Sequence, residues 1–203
     1  MSKGEQTRQR ILAIAEAAVL SKGFEATSID EIIAEAEITK SGFYYHFADK
    51  NMLARAMLKR YIAHNDALFD SIFERARQLS DDPLQFFLIG LNMLAELMED
   101  LPGGHPGCLV ASICYQERLF DREVVELTAH SVRGWNDRFR SYVEDIAVAY
   151  PPRDRVELDD VAAMLSCVVD GGIIMSKTLH DRASLPRQVR LYRSYVKLLF
   201  TPG

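Results

Sequence analysis

Residues 27–50 read TSIDEIIAEAEITKSGFYYHFADK and contain two short helical patterns separated by a tight break. Ser28, with a glutamate three residues later, fits the capping box that starts a helix. Thr39 is a suitable N-cap for the next helix, whose Phe43 and Phe47 lie four residues apart and so share one face. That helix also carries small, hydroxyl, aromatic and basic side chains that a hydrophobic core does not need. The pattern is typical of a helix with one face packed on a domain and the other against a phosphate backbone.

Helical periodicity dominates the rest of the chain, and the alternation of apolar and polar residues that marks strands is nearly absent. An all-α fold of about nine helices is therefore predicted. The first helix ends at Gly23, the fifth begins at Asp81–Asp82–Pro83, and the run LPGGHPG at 101–107 ends it. The fourth helix is long, from about Lys50 into the seventies, and Pro151–Pro152 ends the seventh.

Composition excludes several classes of protein. The net charge is −5, so any grip on nucleic acid must come from a local cluster of cations rather than from diffuse charge. The three cysteines, an odd number without disulfide-like spacing, suit a reducing compartment. The N-terminus is too polar for a signal peptide, and the most apolar segment, Val161–Met175, is short for a membrane span and contains Asp170. A cytoplasmic protein without a membrane contact is expected.

The start of the third helix has groups suited to DNA. Thr39 and Ser41 supply hydroxyls where free backbone N–H groups also favour a phosphate oxygen. Lys40 can reach a guanine edge or a phosphate, and Gly42 lets the backbone approach DNA closely. Lys50 could clamp a further phosphate from the start of the fourth helix. The candidate DNA-binding residues are Thr27, Ser28, Thr39, Lys40, Ser41, Gly42, Tyr44, Tyr45, His46 and Lys50.

An αα-corner whose aromatic residues fill a core is the alternative interpretation of this segment. Phe43 and Phe47 already supply the inward pair, and at most one of the three consecutive rings at 44–46 can join them. The other rings have no folding reason to be there. The two lysines and one aspartate of residues 39–50 give the segment a charge opposite in sign to that of the whole chain. DNA contact is the favoured interpretation.

These residues resemble the helix-turn-helix of the TetR family of transcriptional regulators. In that family the segment reads as a hydroxyl residue, Lys, two small residues, an apolar residue, Tyr, a variable residue, His, Phe and, three positions on, Lys. The corresponding residues here are Thr39, Lys40, Ser41, Gly42, Phe43, Tyr44, Tyr45, His46, Phe47 and Lys50. The family commonly has Gly then Thr where this chain has Ser41 and Gly42, so the hydroxyl has moved by one position.

The resemblance implies an all-α homodimer with two domains in each chain. Residues 4–64 would form a three-helix DNA-binding domain with its motif at 28–47, and residues 65–203 would bind an effector and dimerise. The protein would be a repressor of a palindromic operator in double-stranded DNA. A small-molecule effector would change the spacing of the two recognition helices and release the DNA.

Large, soft side chains of the second domain could line a mostly apolar effector site. Core packing is the alternative explanation for each of them. Trp135 stands out because its indole N–H needs a partner that apolar packing does not provide. The candidate ligand-binding residues are Phe86, Leu94, Met98, Cys108, Leu109, Ser112, Trp135, Phe139, Met164, Cys167 and Val168.

Cys108 suggests a different mode of control. It follows Pro106–Gly107 at a predicted helix N-terminus, where a thiolate is stabilised. A reactive sensor thiol and a buried structural cysteine both fit this position. His105, three residues earlier, hints at a metal, but no second pair of ligands has suitable spacing, so neither a metal site nor a cofactor is predicted.

The last two helices, about 156–180 and 185–200, are predicted to pair with those of a second copy. Each has an apolar stripe at helical spacing, and a two-helix hairpin is too small to bury both stripes within one subunit. A four-helix bundle with two-fold symmetry would cover them, with the adjacent glycines at 171 and 172 at the closest approach. The candidate interface residues are Leu165, Val169, Gly171, Gly172, Ile173, Val189, Tyr192 and Val196.

Two other classes of protein compete with a ligand-responsive regulator. A helical enzyme is disfavoured because no nucleophile–base motif, phosphate-binding glycine loop or metal cluster occurs, and no catalytic residue is predicted. A helical adaptor without DNA-binding activity is the third class. Salt-dependent binding to duplex DNA would separate the regulator from the adaptor.

Overall fold

The computed structural model describes residues 2–201, and within that range it contains nine α-helices and no β-strand. The all-α fold predicted from helical periodicity is confirmed. A short 3-10 helix, Glu117–Leu119, lies between the sixth and seventh α-helices. The α-helices are α1 Lys3–Lys22, α2 Ile29–Glu35, α3 Lys40–His46, α4 Lys50–Leu79, α5 Pro83–Glu99, α6 Leu109–Cys114, α7 Arg122–Ala149, α8 Leu158–Thr178 and α9 Ser184–Phe200.

Local chemistry sets the helix boundaries. Gly23 ends α1 with φ 86°, in the left-handed region that glycine enters without steric cost. Ser28 Oγ accepts the N–H of Glu31 at 3.1 Å and so caps α2. Asp82 Oδ1 accepts the N–H of Gln85 at 2.8 Å, with proline at the first position of α5. These residues form the turns and caps that their types predict.

Contacts divide the chain into two compact units. The first comprises the residues up to Asn65 together with Pro106–Ser131, and the second comprises Asp66–His105 together with the chain from Val132 onward. Residues 65–203 were expected to form one C-terminal domain, but the segment Pro106–Ser131 instead packs with the N-terminal helices. Helices α4 and α7 each contribute residues to both units.

The core of the first unit explains why the segment Pro106–Ser131 belongs there. Helix α6 packs against α1, and its Leu109, Val110 and Ile113 are buried, as is Val124 at the start of α7. These apolar residues are covered within this unit. The other large, fully buried residues of the unit are Ile11, Leu12, Ile32, Phe43, Phe47, Met57 and Leu58.

Helix α9 is central to the second unit, because it packs against both α5 and α8. The hydroxyl of Tyr192 donates to the backbone oxygen of Val161 at 2.8 Å, and Arg193 Nε donates to the oxygen of Leu88 at 2.9 Å. Burial raises the pKa of the Tyr192 phenol, so it remains a hydrogen-bond donor. These contacts fasten α9 to its two neighbours within one chain.

Most of the predicted dimer interface lies inside the second unit and not on its surface. The sequence argument assumed that α8 and α9 have only each other within the chain, but α5 also packs against α9, which lies between α5 and α8. Gly172 approaches Leu185 so closely that a Cβ atom would lie 3.1 Å from the Leu185 Cα. The prediction is therefore corrected for six buried residues: Leu165, Gly172, Ile173, Val189, Tyr192 and Val196.

Candidate DNA-binding site

Helix α3 presents two faces with opposite chemistry. Phe43 and Phe47 are completely buried, with ring centroids 5.9 Å apart. Tyr44 and Tyr45 point the other way and are 44% and 83% exposed. A half-buried His46 lies edge-on to Tyr45, with centroids 5.0 Å apart. Aromatic rings at the surface of a short helix bring no stability to the core, so this face is available for recognition.

The N-terminus of α3 is organised by Thr39. Its Oγ1 accepts the backbone N–H of Gly42 at 3.1 Å and forms a second hydrogen bond with Ser41 Oγ at 3.0 Å. A Cβ on Gly42 would lie 3.3 Å from this Oγ1, which is tighter than ordinary contact. Gly42 therefore allows the cap to close. Ser41 is exposed at the same end of the helix.

Lys40 is exposed at the first position of α3. Its Nζ lies 3.6 Å from the carboxylate of Asp30 on α2, and both side chains are mostly exposed. Ion pairs of this kind are weak because water and salt screen them. The lysine can therefore exchange this carboxylate for a phosphate or a base edge.

Thr27 and Ser28 have structural roles that the sequence did not reveal. Thr27 is buried, and its Oγ1 donates to the backbone oxygen of Gly23 at 2.9 Å. A buried threonine is not presented to DNA, so its assignment as a contact residue is corrected. Ser28 is exposed, but its Oγ is used to cap α2.

Lys50 is fastened to the turn between α1 and α2. Its Nζ donates to the backbone oxygen of Thr27 at 2.8 Å and lies 5.5 Å from the centroid of the Phe24 ring, within the range of a cation–π contact. The side chain is half-buried. In this structure Lys50 joins the start of α4 to that turn, and its role as a phosphate clamp stays a prediction.

Arg8 is a residue of this site that the sequence reasoning missed. Its guanidinium lies 5.1 Å from the centroid of the Phe47 ring, which directly follows α3. The side chain is half-buried, and none of the described carboxylates pairs with it. Helical spacing could have revealed it, because Arg8 precedes the buried Ile11 and Leu12 by three and four positions and so borders the same face.

The segment after α6 is hydrogen-bonded to the turn between α1 and α2. The side-chain Oε1 of Gln116 accepts the backbone N–H groups of Phe24 at 3.1 Å and of Glu25 at 3.2 Å. The rings of Phe24 and Phe120 lie 4.6 Å apart. Gln116 is separated from this turn by about half the length of the chain, and no motif in the sequence pointed to it.

The predicted effector residues are divided between the two units, and their shared role stays a prediction. Cys108, Leu109 and Ser112 lie in the first unit, and the other eight lie in the second. Phe86 and Phe139 pack on Phe73, with centroids 5.8 and 6.0 Å away. Core packing, the alternative explanation, accounts for these two rings. The remaining six residues of the second unit are divided between buried Leu94 and Met98, half-buried Trp135 and Val168, and exposed Met164 and Cys167.

An open groove of about 550 Å³ lies at the start of α8 in the second unit. This volume is in the range of ligand pockets. Of the residues predicted to bind an effector, Met164 is the one that lines it. The lining residues are Arg155, Val156, Glu157, Asp160, Val161, Met164 and Tyr195.

His105 is a partly buried histidine at which the sequence hinted at a metal. Burial and the nearby charge of Lys177 lower the pKa of His105 to about 4, so its imidazole is neutral at physiological pH. Within residues 2–201, no three His, Cys, Asp or Glu side chains are grouped so that they could hold a metal ion. No helix in the same range is long and apolar enough to span a membrane.

Comparison with known proteins finds a family match in the N-terminal part of the chain. Residues 11–57 match the family described as "Bacterial regulatory proteins, tetR family". The match covers the second half of α1, all of α2 and α3, and the start of α4. This N-terminal segment of the chain is therefore similar to the DNA-binding helices of TetR-family regulatory proteins.

Individual relatives agree with this assignment. The chain is 27% identical over 154 residues to the "Transposon Tn10 TetC protein" of Escherichia coli, a match that covers 64% of this chain and 77% of that protein. It is 29% identical over 108 residues to the "HTH-type transcriptional repressor NemR" of E. coli, and this match covers 53% of this chain and only about half, 52%, of NemR.

Solved structures share the fold over nearly the whole chain. A TetR-family regulator from Agrobacterium tumefaciens superimposes with a TM-score of 0.81 at 17% identity, covering 98% of this chain and all of that one. E. coli NemR in its reduced form superimposes with a TM-score of 0.78 at 18% identity, covering 98% of each chain. At these identities the likeness concerns the fold alone.

Proposed function

We propose that this chain is a repressor that binds a palindromic operator as a homodimer and that a small-molecule effector releases it. The observation that carries the proposal is the outward face of α3, where Tyr44 and Tyr45 are exposed beside a buried Phe43–Phe47 pair. Two sequence relatives, NemR and DhaR, are named as transcriptional repressors. That likeness supports repression as the role proposed for this chain.

The proposed contacts divide into those that read bases and those that hold phosphates. Ser41, Tyr44 and Tyr45 are exposed on α3 and would face base edges in the major groove. Lys40 and Arg8 would hold phosphates, because both are cations whose pairing in this structure is weak or limited to an aromatic ring. His46, Lys50 and the backbone near Gly42 complete the proposed contact surface.

The proposed homodimer uses the faces of α8 and α9 that the chain leaves uncovered. Ile174 and Met175 on α8 and Leu191 and Leu198 on α9 are exposed apolar residues, so each helix retains an outward stripe. Apolar stripes on two neighbouring helices favour a four-helix bundle with a second copy. Val169 and Gly171 lie on the less buried side of α8 and remain part of this proposal.

The effector is proposed to bind in the second unit, in the groove at the start of α8. Val161 and Met164 provide apolar surface there, while Arg155, Asp160 and Tyr195 provide polar groups. A small molecule with an apolar body and one polar or charged end would match this lining. Any decrease in operator affinity must be matched by an equal decrease in effector affinity when operator is present.

Selection of duplexes from a random pool tests the function directly. The expected result is enrichment of sequences with two-fold symmetry, with half-sites about one helical turn apart, since two copies of α3 would read them. A matched protein with Tyr44→Ala and Tyr45→Ala should retain its fold and lose the enrichment. Enrichment of no sequence by the unaltered protein would contradict a specific regulator.

A second candidate is control by oxidation or alkylation of Cys108. Its Sγ accepts the backbone N–H of Ala111 at 3.4 Å in the first turn of α6, and such a contact stabilises a thiolate. Cys108 is nevertheless largely buried, whereas Cys114 and Cys167 are exposed. If this control operates, Cys108→Ser should abolish the loss of operator affinity caused by a thiol reagent. Cys114→Ser and Cys167→Ser are the matched controls, and the same loss in all three variants would refute the candidate.

A further inference from the structure

Gln116 satisfies two backbone groups that would otherwise lack partners. It lies just after α6, and its Oε1 accepts the N–H groups of Phe24 and Glu25. Both N–H groups lie beyond the end of α1 at Gly23 and before the start of α2, so no helix provides an acceptor for them. One side chain therefore binds both of these backbone groups in the turn between α1 and α2.

The residues that follow Gln116 strengthen this connection. The ring of Phe120 lies 4.6 Å from that of Phe24, centroid to centroid. The backbone N–H of Asp121 donates to Asn51 Oδ1 at 3.0 Å, and Glu123 forms an ion pair with Arg55. The segment 116–123 is thus bonded both to the turn before α2 and to the first two turns of α4.

The turn before α2 is in contact with the start of α4 from its other side. Lys50 Nζ donates to the oxygen of Thr27 and lies over the ring of Phe24. Ser28, the next residue, caps α2. Because α3 lies between α2 and α4 in the chain, its orientation depends on how these two ends are fixed.

We propose that Gln116 is a positioning residue of the DNA-binding site. It does not touch DNA; it holds the turn between α1 and α2, and through Phe24 and Lys50 it keeps α2 and α3 in the orientation that reads an operator. The proposal rests on the DNA-binding function of the chain. It requires neither an effector nor a particular operator sequence.

Two substitutions separate this role from general support of the fold. Gln116→Leu removes the acceptor at similar size, whereas Gln116→Glu keeps an oxygen that can accept both N–H groups. The readouts are hydrogen exchange at the amides of Phe24 and Glu25 and the ratio of specific to non-specific DNA affinity. A charge added by glutamate weakens both kinds of binding, so their ratio is insensitive to it. Gln188→Leu, an exposed glutamine on α9, is the control.

The expected result for Gln116→Leu is faster exchange at both amides and a roughly tenfold smaller affinity ratio, since about two hydrogen bonds are lost. The salt dependence of non-specific binding should not change, because no cation is removed. Gln116→Glu should restore both readouts. If the leucine variant does not fold, Gln116→Met replaces it.

Three outcomes would overturn the proposal. These are unchanged exchange at the two amides, an unchanged affinity ratio despite faster exchange, and failure of glutamate to restore the ratio. Hydrogen exchange is measured without DNA. A chain that binds no operator at all is therefore distinguished from one in which the Gln116 contact does not form.

Discussion

Side chains of similar chemistry have different structural roles in the first unit. Thr39 uses its hydroxyl to cap α3, and Thr27 uses its own to bond the oxygen of Gly23, whereas Ser41 is exposed. The hydroxyl of Thr39 is partly satisfied by its cap before DNA arrives, which reduces its contribution to recognition, and the Ser41 hydroxyl forms a hydrogen bond with it. Which hydroxyl groups of α3 remain available to DNA therefore depends on the hydrogen bonds that they already form within the protein.

Arg8 provides a direct test at the residue scale. Arg8→Ala is expected to weaken binding to all duplexes and to reduce the salt slope by about 1, because one phosphate contact is lost. Arg8→Lys should retain the slope because it retains the charge. The matched control is Arg10→Ala, since Arg10 is exposed on α1 and, two residues after Arg8, lies on a different face of the helix. Equal effects of Arg8→Ala and Arg10→Ala on the slope would exclude a special role for Arg8.

Adjacent glycines in α8 have opposite surroundings. A Cβ on Gly172 would lie 2.8 Å from Leu185 Cδ1 and 3.1 Å from its Cα, whereas a Cβ on Gly171 would meet no atom within 4 Å. Glycine at 172 is therefore required by the packing of α8 on the start of α9. Glycine at 171 only costs helix stability in the isolated chain.

This contrast predicts opposite effects of the same substitution. Gly172→Ala should lower the free energy of unfolding by roughly 1–3 kcal/mol, because a methyl group is forced into a packed contact. Gly171→Ala should raise it by up to about 1 kcal/mol through helix propensity. Denaturation with urea measures both. Equal changes for the two variants would show that packing at Leu185 does not distinguish them.

The loop between α5 and α6 makes stability depend on pH through His105. Its pKa is lowered from 6.5 to about 4 by burial and by Lys177, so the folded state takes up a proton less readily than the unfolded state. Stability should therefore fall as the pH decreases from about 6.5 towards 4, by roughly 3 kcal/mol, and His105→Asn should remove this part of the dependence. His180→Asn, at an exposed position, is the control. Identical pH profiles for wild type and His105→Asn would contradict this account.

At the scale of the whole molecule, α5 decides which surface is left for a partner. It covers one side of α9, so the apolar stripe of α9 that is visible in the sequence is buried in the core. Other residues of α9 face outward. The exposed positions Ile174 and Leu198 then mark the proposed interface. Homodimers bury surfaces of this kind through apolar contacts on both copies.

A charge on that surface is expected to prevent assembly. Ile174→Glu or Leu198→Glu should give a folded monomer that has lost specific DNA affinity and retains weak non-specific binding. Val148→Glu is the matched control, because Val148 is highly exposed on α7. Sedimentation distinguishes the two states. A variant with charge at both positions that still sediments as a dimer would locate the interface elsewhere.

Contacts within one helix could be predicted from the sequence, whereas contacts between residues far apart in the chain could not. Helical spacing was sufficient to predict that Phe43 and Phe47 face inward, because both lie within one short helix. The same argument failed for Val196 on α9, because α5, a helix far away in the sequence, packs against α9. Gln116 was not predicted, since its hydrogen bonds to the turn after α1 join residues 91 and 92 positions apart.

The division of the first unit into two stretches of chain constrains how it can be exchanged between relatives. A single crossover after Asn65 would transfer α1, α2 and α3 but leave behind the segment Pro106–Ser131, which covers α1 and bonds the turn after it. Recombination at that point would join α1, α2 and α3 to the corresponding segment of another protein, which evolved to pack against different helices. A transplanted first unit that keeps its own support therefore requires two junctions in the chain.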